Sequence, residues 1–163
     1  MNRTTHRLEV LLTAVVVAVG LCAASALVLA SQQNGGKKMF AQKLVEQTLA
    51  KHPEADEIGI AVQSARGCKT IASTDRGDIG EKCEKKDSEP MRTGKPYVEK
   101  EKDGYDVSIA LHDATGKLVG SVGIEFKPAA GQTEASQIER ARKIARAMEA
   151  QISSRTRLFA PER

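Results

Sequence analysis

The sequence predicts an α+β domain, an antiparallel sheet with a long N-terminal helix and a C-terminal helix. Three stretches carry that reading. "YDVSIAL", "HDATGK" and "LVGSVGIEF" form a strand, a turn and a second strand. Before them, "KKMFAQKLVEQTLAK" has apolar residues at helical spacing, and after them so does "EASQIERARKIARAMEAQI". A run of strands bounded by helices packs as a sheet covered by helices on one face.

Residues 1–30 stand apart from this domain. Arg3 and Arg7 precede an uncharged Val-, Leu- and Ala-rich run from Val10 to Ala30, which closes on Val28-Leu29-Ala30. A positive start, an apolar middle and a small-x-small end are the parts of a secretory signal. A run of ~20 apolar residues is also long enough to cross a bilayer. Cleavage after Ala30 and retention as an N-terminal membrane anchor therefore both stand. Either sends the remainder to the extracytoplasmic side, periplasmic or tethered to the inner membrane. Leu21 before Cys22 does not suit a lipidation site, so Cys22 reads as part of the apolar run. Residues 31–36 are a polar link.

The domain itself is expected over 37–153. Phe40, Leu44, Val45 and Thr48 recur at spacings of three and four, and Pro53 ends the helix at His52. "EIGIAVQ" and "KTIAS" read as short strands separated by Ala65-Arg66-Gly67. From Thr74 to Gly104 the chain is long, polar and aperiodic, with a short strand near Lys95–Glu99; such a stretch in a compact domain is functional or disordered. In the hairpin, Tyr105, Val107, Ile109 and Leu111 alternate with Asp106, Ser108 and Ala110, and Gly116 supplies the positive φ of the turn. Glycines fall on both faces of the next strand, at 120 and 123. They mark a close approach of a ligand or of another backbone. Pro128 and Gly131 end that strand and Thr133 caps the closing helix. Its stripe is Ile138, Ala141, Ile144, Ala145, Met148 and Ile152, with Glu139 and Lys143 as an i,i+4 pair. Residues 154–163 read as a flexible tail.

Charge and composition exclude several functions. The chain carries 25 Lys+Arg against 21 Asp+Glu, with two Tyr, three Phe and no Trp. A mixed, mildly basic surface this poor in aromatics does not suit nucleic-acid binding. Thr93-Gly94-Lys95 and Thr115-Gly116-Lys117 lack the upstream glycine of a phosphate loop. No Gly-x-Ser-x-Gly elbow is present. Asp75, Asp78, Asp87 and Glu89 match no EF-hand spacing. His52 and His112 are isolated, so no metal and no cofactor is expected, and no enzymatic activity. Cys68 and Cys83 lack the Cys-x-x-Cys spacing of metal or redox sites. In an oxidising compartment they read as a disulfide, worth about 3 kcal/mol by loop closure.

Several of these segments resemble a known family. "IGIAVQSARGCKTIASTDRGDIG" followed by "GYDVSIALHDATGKLVGSVGIEF", between two helices, is similar to the single Cache domain, a PAS-like module of bacterial receptors that works outside the membrane. The resemblance covers most of Lys37 to Phe126. It implies a pocket for a small organic ligand between the sheet and the loops before the third strand. No kinase, chemoreceptor, cyclase or HAMP-like segment follows, so a signal would pass to a membrane receptor or another envelope protein. The aromatic-and-arginine motif of amino-acid-binding double Cache receptors is missing, as is a CxxCH haem attachment. Candidate ligand-binding residues are Ser73, Asp75 and Arg76 after the second strand, Arg92 and Tyr97 in the long loop, and Tyr105 at the start of the third strand. Functionally the chain reads as an extracytoplasmic small-molecule-binding sensory module without its own output domain. The alternative is an envelope structural or interaction domain with this fold and no ligand, using the basic outer face of its C-terminal helix.

Overall fold

A computed structural model describes residues 38–102 and 104–162. The signal or anchor segment 1–30 and the link 31–36 lie outside the described residues. The elements in chain order are α1 (Phe40–Lys51), β1 (Ala55–Ser64), β2 (Gly67–Ser73), a 3-10 turn (Arg76–Asp78), α2 (Lys85–Thr93), β3 (Tyr97–Lys100), β4 (Tyr105–His112), β5 (Leu118–Phe126), α3 (Glu134–Glu149) and α4 (Arg155–Leu158). The five strands form one antiparallel sheet in the order β2-β1-β5-β4-β3.

Strand alternation sorts the side chains. Ile58 and Ile60 of β1 pair with Ile124 and Val122 of β5, which in turn pair with Val107 and Ile109 of β4. These residues face α1 and α3, whose Leu44, Val45, Ile144 and Met148 are at most 1% exposed. This is the core the periodicity predicts. Thr133 caps α3 by accepting from the Ser136 amide. Gly116 takes φ +83° in the β4–β5 turn, as that turn requires. Glu139 pairs with Arg142 at 2.7 Å rather than with Lys143. The exposed helix offers both partners, and Arg142 is the one within reach.

Two regions differ from the sequence reading. The polar stretch after Thr74 contains a helix, α2. Its apolar pattern is too thin to read, since Pro90 is its one buried residue. Local chemistry defines it instead: Glu84 and Asp87 form a capping box, and Gly94 ends it in the left-handed conformation at φ 70°. The tail, expected to be flexible, is docked. Leu158 is fully buried, Met39 and Pro161 form a β-bridge, and the Phe40 amide donates to the Ala160 carbonyl at 2.8 Å. Arg157 also lies over the Phe40 ring, 4.1 Å from its centroid. One apolar anchor, Leu158, closes the end of the core, and a segment this short shows no periodicity that would announce it.

Both faces of the sheet are covered, where one was expected. α2 lies over β4 and β5 on the face opposite α1 and α3. As a result Asp106, Ser108, Ala110 and Ser121, the polar or small positions of the alternation, are all buried.

Replacing Leu158 by Ala is expected to cost about 2–5 kcal/mol, the range for truncating a fully buried leucine. Urea unfolding measures it; a change within 0.5 kcal/mol, normal for a surface site, would mean that the tail is not part of the core.

Candidate functional site

The covered polar face holds a half-open cavity of about 300 Å³. Its floor follows from residue size and register. Gly59 on β1, Gly123 on β5 and Ser108 on β4 lie side by side in one row across three strands. In the next row Ala61 lies opposite Ser121, and Ser121 opposite Ala110. Two glycines, two alanines and two serines leave room that larger side chains would fill. The two glycines singled out in β5 thus have different causes. A Cβ on Gly120 would stand 2.3 Å from the Ala61 carbonyl oxygen, so another backbone approaches there. A Cβ on Gly123 would meet only Ser108 Oγ at 3.4 Å, at the open floor of the cavity.

On the other side of the glycine row stands a row of carboxylates. Glu57 of β1 lies opposite Glu125 of β5, Glu125 opposite Asp106 of β4, and Asp106 opposite Glu99 of β3. Like charges directly opposite on a sheet destabilise it. Lys86, in the first turn of α2, offsets part of this by an ion pair to Asp106 Oδ2 at 2.8 Å. The contact holds the Lys86 ammonium well above its usual range, against the opposing effect of burial. Glu57 is pushed up to about 7, first by burial, then by the adjacent Asp78 carboxyl and the charge of Glu125. Burial is also the largest cause raising Glu125, helped by the charges of Glu101, Asp106 and Asp56. Asp87 is raised by burial as well.

The rim is built by the segment between β2 and α2. Cys68 and Cys83 form the expected disulfide, with Cα atoms 5.2 Å apart. The Cys83 amide donates to the Cys68 carbonyl, and the Thr70 amide to the Glu81 carbonyl, so residues 80–83 run back along the outer edge of β2. This strap carries Asp78 and Glu81 to the rim before Lys85 starts α2. Gln42 of α1 ties the base: its amide donates to the Ser73 carbonyl at 2.8 Å and accepts from the Ser73 amide at 3.3 Å. Ser73 Oγ then donates to Glu57 Oε1 at 3.0 Å.

The six candidate residues from the sequence do not converge. Ser73 is fully buried behind the wall, where it positions Glu57. Asp75 caps the 3-10 turn by accepting from the Gly77 amide. Arg76 points to Glu46 of α1, 2.7 Å away. Arg92 pairs with Glu89 at 2.6 Å and borders a separate, more open cavity beside Met91, Leu118 and Arg155. Tyr97 extends the glycine–serine row onto β3, with Lys85 5.7 Å from its ring centroid. Tyr105 lies opposite Phe126 and packs against the core. Glu57, Ser108, Glu125, Asp106 and Lys86 were missed. Their signal was the polar half of each strand's alternation, which reads as solvent-facing until α2 is known to cover it.

No protein-family model and no curated protein matches the chain. Solved structures do share its fold. The repressor BlcR of Agobacterium tumefaciens aligns with a TM-score of 0.55 and 13% identity, over 80% of this chain and 73% of that one. The GAF domain of a two-component sensor histidine kinase from Bacillus halodurans aligns with a TM-score of 0.51 and 13% identity, over 71% of this chain and 95% of that one. The GAF domain of an Acinetobacter phosphoenolpyruvate-protein phosphotransferase gives 0.50 and 13%, over 81% and 90%. The fold is thus GAF- and PAS-like, which agrees with the coarse PAS-like architecture expected from the sequence.

The raised Glu57 carboxyl makes stability depend on pH. Its contribution is fully present below its ordinary value of 4.5 and is lost as pH rises to about 7. Glu57→Gln is therefore expected to be more stable than wild type at pH 8, by on the order of 1 kcal/mol after discounting for solvent screening, and to lose that advantage at pH 4.5. Thermal unfolding of both proteins across this window measures the difference. An advantage independent of pH would contradict the assignment.

Proposed function

We propose that this chain is an extracytoplasmic sensory module that binds a small organic molecule in the cavity over the polar face of its sheet. It reports occupancy to a separate partner, a membrane receptor or another envelope protein. The observation that carries the reading is the half-open cavity itself. Its volume lies at the lower end of the range for ligand sites, and its floor is kept open by Gly59, Gly123 and Ala61. Ser108 Oγ, buried on that floor, has no hydrogen-bond partner among the described residues. A buried hydroxyl normally has one.

Three further features support the proposal. The structures that share the fold include a repressor and a domain of a sensor kinase, both regulatory proteins. The Cys68–Cys83 disulfide suits an oxidising compartment, as does the secretory or anchoring pattern of residues 1–30. The segments similar to single Cache domains fall on β1, β2, β4 and β5, the strands that carry the floor. The reading is one of binding without chemistry, and no catalytic residue is assigned. The strap and α2 are the elements whose positions a ligand would change, so they are where a partner would sense occupancy.

A thermal-shift screen with organic acids, amines and amino acids tests the proposal. At least one class is expected to stabilise the protein saturably. Gly123→Val, a residue suited to strands, would fill the floor and abolish that stabilisation while leaving the fold intact. If no compound shifts the wild-type transition, the ligand-binding proposal fails and the reading as an interaction domain with this fold and no ligand takes its place.

A second test concerns the strap. Cys68→Ser/Cys83→Ser is expected to lower stability by about 3 kcal/mol, as loop closure over this separation predicts. It is also expected to weaken ligand binding, because the strap is no longer held on the edge of β2. Unchanged affinity in the folded double variant would remove the strap from the site.

A further inference from the structure

We propose that the cavity takes an organic cation with more than one ammonium group, an aliphatic diamine or polyamine, seated along the carboxylate row at Glu57 and Glu125 and hydrogen-bonded to Ser108 Oγ. This rests on the ligand-binding reading above and names its ligand class.

The charge balance of the walls leads to it. From the sheet come Glu57, Glu125 and Asp106, and from the strap and the start of α2 come Asp78, Glu81, Glu84 and Asp87. Only Lys82 and Lys86 stand against them in the lining, and Lys86 is already committed to Asp106. Glu57 and Glu125 face each other on neighbouring strands, and among the described residues neither forms an ion pair with a lysine, arginine or histidine. Sheet side chains in that relation hold their Cβ atoms about 5 Å apart. An ammonium group between them would turn a repulsion into two charge-assisted hydrogen bonds.

The unpartnered hydroxyl is independent of this charge. Ser108 is 1% exposed, and its Oγ lines the cavity next to the carboxylate row. It can accept from an ammonium N–H as readily as donate. An anionic ligand, by contrast, would enter a wall of seven carboxylates and two lysines with one lysine already paired. A single ammonium would leave most of this negative wall uncompensated, whereas the strap side offers Asp78 and Glu81 for a second one. Among the described residues no His, Cys, Asp or Glu cluster has the convergence to hold a metal ion. The carboxylates are spread along a trough, as an extended cation requires.

Glu57 is faced by two carboxylates and one hydroxyl from the elements packed around it. Asp78 stands on the strap side and Glu125 on β5, Ser73 on β2 adds a neutral hydroxyl donor, and Lys86 on α2 supplies the ammonium paired with Asp106 in the same row. Binding of a cation is therefore expected to draw a proton off Glu57 and to strengthen from pH 5.5 to pH 8.

Calorimetric titration of the full-length chain in nonionic detergent, with 1,4-diaminobutane and spermidine as probes, tests the proposal. Saturable binding at pH 8 is expected, at least tenfold weaker in Glu125→Gln and in Glu57→Gln and severalfold weaker in Ser108→Ala. The two glutamine variants serve as their own folding controls, because removing a like charge from the row is expected to raise the melting temperature of the unliganded protein. Loss of binding with gain of stability is a pairing that a merely structural role does not produce. Equal stabilisation by magnesium or calcium chloride at matched charge would overturn the proposal in favour of a metal site or simple screening. Saturable binding of an organic acid or neutral compound, blocked by Gly123→Val, would overturn the cation assignment while leaving the ligand-binding reading in place. No binding by any class would overturn both.

Discussion

The ion pair between Lys86 and Asp106 is the contact on which the second layer depends. Pro90 is the one buried residue of α2, so apolar area contributes little to holding it on the sheet. What it does have is a lysine in its first turn reaching a carboxylate that is 11% exposed, at 2.8 Å. Removing one partner of such a pair leaves the other charge buried, which is why pairs of this kind are costly to break even when they add little to stability. The same ammonium offsets the middle of a carboxylate row running across four strands. One contact therefore seats the cover and makes the face beneath it tolerable.

This division separates a rigid part of the molecule from a lightly held one. Between α1, α3 and the inner face of the sheet lie Phe126, Leu44, Ile58, Ile124, Ile144 and Met148, all at most 1% exposed. The docked C-terminal turn extends that core through Leu158. The opposite face is closed by a short polar helix, a strap held by one disulfide, and side-chain hydrogen bonds. Elements with few buried apolar contacts open at lower free-energy cost than the global transition. A cavity roofed by such elements, over a floor fixed by the core, opens by movement of the roof rather than of the scaffold.

The core half of this arrangement was legible in the sequence, and physical reasons separate it from what was not. Alternation places Tyr105, Val107, Ile109 and Leu111 on one face, and the 3.6-residue stripe of α3 faces them, because burial of apolar area selects both patterns. α2 offers no such stripe: "KKDSEPMRT" is held by a capping box and a glycine C-cap, signals that are short and occur in loops as well. Once α2 is missing, Asp106, Ser108 and Glu125 read as solvent-facing. The candidate residues then fall on visible turns and aromatics, such as Asp75, Arg76 and Tyr105, which the fold uses for capping, for a surface ion pair and for core packing.

Register is the other quantity that a single strand's pattern does not contain. Glu57, Glu125, Asp106 and Glu99 are separated in the chain by up to 68 residues, and only the pairing of β1, β5, β4 and β3 puts them in one row. A slip of two residues at either central ladder would keep every side chain on its face, yet set Glu57 or Asp106 opposite Gly123 and remove the repulsion. The observed register is held instead by the opposite face, where Ile58 meets Ile124 and Val107 meets Ile124 in a fully buried layer. Hydrophobic packing on one side of the sheet thus enforces an electrostatically unfavourable row on the other. Conflicts of this kind between core packing and surface charge are the exceptions a fold tolerates at a few places. Here its consequence is a trough with unbalanced negative charge, held ready by a core that cannot relax it.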